Sequence, residues 1–163
     1  DDGLGPAVLR ALEEQYAVPA DVTVMDLGTP GLDLSPWLAD ADNVVLIDTV
    51  KAPLKPGSLR LYRKSELLAS APDVRVSPHD PGVKETLLNL EFAGRAPREL
   101  ALVGVVPGET TMGLELSPAV AAAVPAAVGA VVAALERFGV VVTRRAQPIA
   151  RAEWWRAGAA GSA

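Results

Sequence analysis

Asn43-Val44-Val45-Leu46-Ile47-Asp48 is the stretch on which the fold turns. Its apolar run is continuous rather than alternating, the pattern of a strand covered on both faces inside a parallel sheet. Leu100-Ala101-Leu102-Val103-Gly104-Val105-Val106 repeats that pattern. Around these two runs the apolar spacing turns helical. Val8, Leu9, Leu12 and Tyr16 share one face of a helix expected over residues 6–16, with Arg10, Glu13 and Glu14 outside. Leu34, Trp37 and Leu38 mark a short helix over 33–39. Val83, Leu87 and Leu90 form the seam of another that follows His79 and reaches Phe92, with Gly94 as its stop. Ser117-Pro118 opens a long helical region to Phe138, stopped by Gly139, which Pro125 is expected to break or kink into two segments. Further strands are expected over 22–25, 58–62, 74–76 and 140–143, and a short helix or turn over 64–70. Helices alternating with buried strands make the class α/β with a mainly parallel sheet, in one domain without internal repeats.

Composition narrows the function. The chain of 163 residues is half hydrophobic, which supplies an aliphatic core, and its net charge of −5 comes without a basic stripe, so nucleic-acid binding is disfavoured. With no cysteine, disulfides, thiolate metal sites and a cysteine nucleophile are excluded, and a cytoplasmic location is expected. The most apolar stretch, 119–135, contains Pro125 and Gly129 and reads as buried helix, so no membrane span is expected. The chain opens on Asp1-Asp2-Gly3 without an initiator methionine, and a preceding segment is expected.

Three residues stand where an α/β sheet presents chemistry. His79, the only histidine, lies in Ser77-Pro78-His79-Asp80-Pro81-Gly82, between a β-prone run and a helix start for which Asp80 is a good N-cap and Pro81 a good first residue. A lone histidine there is either an ordinary hydrogen-bonding group or a ligand. Asp48 either caps the turn after its strand or offers a carboxylate to a cleft. Asp2 either favours a helix N-terminus electrostatically or joins the other two. Together two carboxylates and an imidazole make a borderline ligand set for Zn, Ni, Fe or Mn with open positions left over. Asp26-Leu27-Gly28-Thr29-Pro30-Gly31 is a turn after a strand, or a loop whose glycines let a partner approach closely. Trp154-Trp155 lies in a tail and is assigned no function.

Read in order, Asp1-Asp2-Gly3-Leu4-Gly5-Pro6, Asp26-Leu27-Gly28-Thr29-Pro30-Gly31, Val44-Val45-Leu46-Ile47-Asp48 and Ser77-Pro78-His79-Asp80-Pro81-Gly82 resemble the nickel–iron hydrogenase maturation endopeptidases. Leu116-Ser117-Pro118 is similar to the family's entry to its last helix. The resemblance implies a single-domain three-layer sandwich over residues 1–143, with helices on both faces of the sheet and a tail over 144–163. It implies an aspartic-type endopeptidase that removes the C-terminal extension of a hydrogenase large-subunit precursor. Asp2, Asp48 and His79 match the family's metal-contacting positions and are its implied catalytic group. Asp26, Gly28 and Thr29 match the motif for substrate selection. The metal implied is nickel supplied by the precursor, with another divalent metal able to take the site. A non-catalytic nickel-checkpoint module that binds the precursor is the alternative. The family's usual first strand and Gly-x-Gly-Asn-type loop stand before the first acidic motif, whereas this chain begins inside that motif; that strand would belong to the sheet.

Overall fold

The computed structural model describes residues 1–28, 34–69, 82–108 and 115–149. In chain order its elements are α1 (Leu4–Gln15), β1 (Tyr16–Ala17), α2 (Ser35–Leu38), β2 (Asn43–Thr49), β3 (Leu59–Arg63), α3 (Lys64–Ala69), α4 (Gly82–Phe92), β4 (Glu99–Val105), α5 (Pro118–Arg137) and β5 (Thr143–Arg144).

β4 is central in the main sheet, paired in parallel with β2 and antiparallel with β3. The continuous apolar runs follow from this placement, because successive side chains of one strand feed opposite cores. Val103 and Val105, with Val45, Ile47 and Leu59, pack beneath Leu4, Val8 and Leu12 of α1 and Val120, Ala127 and Val131 of α5. Leu100 and Leu102, with Val44 and Leu46, pack on the other face against Leu38 of α2, Leu67 of α3 and Val83, Leu87 and Leu90 of α4. The α/β class and the helices on both faces are therefore as expected, and the sheet, expected to be mainly parallel, is mixed in direction. Leu87 and Leu100 are fully enclosed, and burial of each such side chain contributes about 1.5–3 kcal/mol.

Three expectations change. Residues 22–25 form no strand: Val22 and Val24 are half-buried while Thr23 and Met25 are exposed, so the alternation is right, but among the described residues no ladder partner lies beside them. Pro125 does not divide α5, which runs through it. The ring is exposed, and so is Ala121, whose carbonyl loses the helical hydrogen bond to water rather than to the core. Of the strand expected over 140–143 only Thr143 is in one: β5 is Thr143–Arg144 and pairs antiparallel with the unanticipated β1, Tyr16 opposite Arg144 and Ala17 opposite Thr143. By length and composition α5 could cross a membrane; in this fold its Val120, Ala127, Val128 and Val131 are buried in the core, as the reading of 119–135 as buried helix expects. The strand expected over 74–76 and the Trp154-Trp155 pair lie outside the described residues.

The end of α1 is closed by the chain that follows α5. Arg145 N–H donates to the Gln15 carbonyl at 2.8 Å and Ile149 N–H to that of Glu14 at 3.1 Å. Arg145 Nε donates to the Glu13 and Tyr16 carbonyls, both at 3.2 Å, so the last turn's orphan carbonyls are satisfied.

At the N-terminal edge of β2, Asp40 holds a φ of 61° and accepts a fork of hydrogen bonds from Arg95, the shortest 2.6 Å. Those hydrogen bonds hold the Asp40 carboxyl below its ordinary pKa, and the attraction of the Arg95 charge adds to them. A depressed folded-state pKa contributes stability that is present above the unfolded value and lost as pH falls through the folded one. Both groups are exposed, so the contribution is small and screened by salt. Arg95→Ala is accordingly expected to lower the melting midpoint slightly at neutral pH and low salt. In acid-melting curves that difference from wild type should vanish once Asp40 is protonated.

Candidate functional site

Asp48 is the penultimate residue of β2 and stands opposite Gly104 in the parallel register. It is half-buried, and its Oδ1 accepts the Thr49 N–H at 2.7 Å. The strand end is pinned just beyond it. Val50, 1% exposed, donates its N–H to the Val105 carbonyl at 3.0 Å and lays both methyl groups over Gly104, where a Cβ would collide with them. Gly104 thus lets β2 stay close to β4 at the level of the carboxylate.

Asp2 is exposed in the turn that starts α1. The first turn of that helix rests on the end of β2: a Cβ on Gly5 would lie 3.7 Å from the Ile47 carbonyl oxygen, an ordinary contact. The segments carrying Asp2 and Asp48 therefore meet at the C-terminal end of β2. His79 lies outside the described residues, three positions before Gly82, the buried first residue of α4. Among the described residues no three His, Asp or Glu side chains gather as a metal cluster.

The Asp26 loop is a tight exposed turn. Asp26 Oδ1 accepts the Gly28 N–H at 2.9 Å, an Asx-type closure, and Gly28 has a φ of 63° with open space around its missing side chain. Thr29 lies outside the described residues.

A buried acid that the residue types did not single out is Asp1. Its side chain is almost enclosed, and its carboxylate accepts from Gly108 N–H at 2.8 Å, Ser117 N–H at 2.5 Å and Ser117 Oγ at 3.0 Å. The signal available was the doubled acid Asp1-Asp2 and the Ser117-Pro118 cap, which no local pattern connects.

Comparison with known proteins gives the family. The family model for hydrogenase maturation protease matches residues 6–134. The chain belongs to the hydrogenase maturation protease family. The hydrogenase 2 maturation protease of Escherichia coli K12 is 33% identical over 141 residues, 86% of this chain and 85% of that protein. The hydrogenase expression/formation protein HupD of Bradyrhizobium diazoefficiens is 32% identical over 154 residues, covering 94% and 80% respectively. The solved structure of the hydrogenase maturating endopeptidase HybD from E. coli superposes with a TM-score of 0.78 at 33% identity, over 88% of this chain and 89% of that one. This hydrogenase maturation protease is thus an endopeptidase with a mixed-sheet α/β fold, which favours the enzyme over the non-catalytic binding module.

Proposed function

We propose that this protease removes a C-terminal extension from the large-subunit precursor of a nickel–iron hydrogenase after nickel has been inserted. The observation that supports this reading is the meeting of the Asp2 and Asp48 segments at the end of β2, secured by the Gly5–Ile47 contact. Asp2, Asp48 and His79 grip the nickel that the precursor brings, and Asp26, Gly28 and Thr29 select the precursor. Two carboxylates and an imidazole fit such a role, since they bind nickel without saturating it and leave positions for the substrate's own ligands. Hydrolysis adds water to the scissile carbonyl, breaks the C–N bond and returns a proton to the leaving amine. A carboxylate of the site is suited to take the water's first proton. The precursor and its nickel centre would be met in the cytoplasm.

The reading is tested by incubating purified protein with nickel-loaded and nickel-free precursor and weighing the products by mass spectrometry. The loaded precursor should lose a C-terminal peptide and the nickel-free one should not. Equal cutting of both would overturn the nickel requirement, and no cutting of either would overturn the function.

A further inference from the structure

Asp1 holds together segments that are far apart in sequence. Its backbone carbonyl accepts the Leu4 N–H at 3.2 Å and so starts α1, whose Leu4 is buried in the core. Its carboxylate takes three donors on Gly108 and Ser117, the residues on either side of the 109–114 segment. Ser117 is the N-cap residue of α5, yet its hydroxyl makes no cap bond to its own helix and donates to Asp1 Oδ2 instead. Gly108 is shaped for this tie: a Cβ there would lie 2.6 Å from Ser117 Oγ and 3.1 Å from Ser117 Cβ. Pro56 and Gly57 of the β2–β3 connection close the same junction, Pro56 Cβ lying 3.7 Å from the position of a Gly108 Cβ. Hydrogen bonds from backbone N–H groups to an ionised carboxylate are strong and directional, so the junction fixes the backbone at Asp1 in three dimensions. The next residue, Asp2, points out to solvent from that fixed point.

We propose that Asp1 is a positioning residue of the site: by clamping the start of α1 to Gly108 and Ser117, it sets where the Asp2 carboxylate stands relative to Asp48. The inference rests on the functional reading above, in which Asp2 grips the nickel of the precursor. Asp1 touches neither metal nor substrate and acts through its neighbour.

Asp1→Asn is the informative change. The amide keeps one acceptor oxygen, and whichever way it turns its NH2 faces the N–H of Gly108 or of Ser117, so at least one tie is lost. Binding and cleavage of nickel-loaded precursor are measured for wild type, Asp1→Asn, Asp2→Asn and the double variant, at a temperature where their circular dichroism spectra coincide. On the wild-type background Asp1→Asn should weaken binding of the loaded precursor by about 10-fold, the scale for losing a group that orients a ligand. On the Asp2→Asn background it should weaken binding less than about 2-fold, because the residue it acts through is already disabled. A purely structural role would cost the same factor on both backgrounds, and that result overturns the proposal. Should Asp1→Asn fail to fold, Ser117→Ala removes a single tie and should show the same dependence on Asp2 with a smaller loss; no such dependence overturns the proposal. An inert wild-type protein overturns the functional reading and this inference together. An active wild type with an unaffected Asp1→Asn overturns only the positioning role.

Discussion

Asp48→Asn is expected to slow cleavage of the nickel-loaded precursor by about 100-fold or more, the lower range for removing a group that transfers protons or orients a ligand. The fold should be left as it was. Asparagine has the same shape and keeps an Oδ1 to accept the Thr49 N–H, the local bond that orients Asp48. Val50 still covers Gly104 and still ties the strand end to Val105, so nothing in the packing of β2 on β4 registers the change. What disappears is the negative charge, and with it the strength of a carboxylate ligand and the capacity to accept a proton. Single-turnover cleavage followed by mass spectrometry, beside thermal melting, separates the two properties. His79→Ala should act in the same direction. Cutting at the wild-type rate by both variants would sink the assignment of the site.

The largest loss of stability is expected from Gly57→Ala. Gly57 has a φ of 79°, a conformation that costs an L residue roughly 1–2 kcal/mol. An added Cβ would also lie 2.5 Å from the Ala119 carbonyl oxygen and 3.0 Å from its carbon. Those atoms are backbone in the first turn of α5, and the adjoining Val120 is fully buried, so the helix cannot step aside. Overpacking of that kind adds about 1–3 kcal/mol. The clash further disturbs the Gly57 N–H bond to the Val106 carbonyl, 2.8 Å long. A total near 3 kcal/mol corresponds to a melting point lower by about 6–12 °C in a chain of this size. Gly139→Ala is the control: its φ is 82°, with nothing within 4 Å of a Cβ, so it bears the backbone cost alone. Equal melting points for the two variants would show that Ala119 yields and would overturn the account.

The elements legible in the sequence are those whose signal is local. The uninterrupted Val44–Ile47 and Leu100–Val106 runs announced strands between two cores, and the helical spacing of Val8 and Leu12, or of Val83, Leu87 and Leu90, located α1 and α4. Residues 22–25 have the alternation of a strand, but pairing depends on a neighbour that alternation does not reveal. No break occurs at Pro125, because its effect depends on which side of the helix faces water, a fact of the packed molecule. At the site, Asp48 could be picked out by its place at a strand end. Asp1 could not, since its donors are 107 and 116 residues away. Its neighbour Asp2 was visible only in the order of motifs shared with a family.

The closure of α1 by Arg145 also has a meaning in time. The residue that satisfies the helix's last carbonyls is made about 130 positions after the helix itself. At a synthesis rate of roughly 5–20 residues per second, that gap lasts on the order of 7–26 s. During it the nascent helix has neither its C-terminal partner nor the α5 face on which it packs. Loop closure over such a span also makes the docking of residues 145–149 on α1 a slow step. That window is therefore when α1 is most open to proteases and chaperones, and it closes only once residues 145–149 have been made.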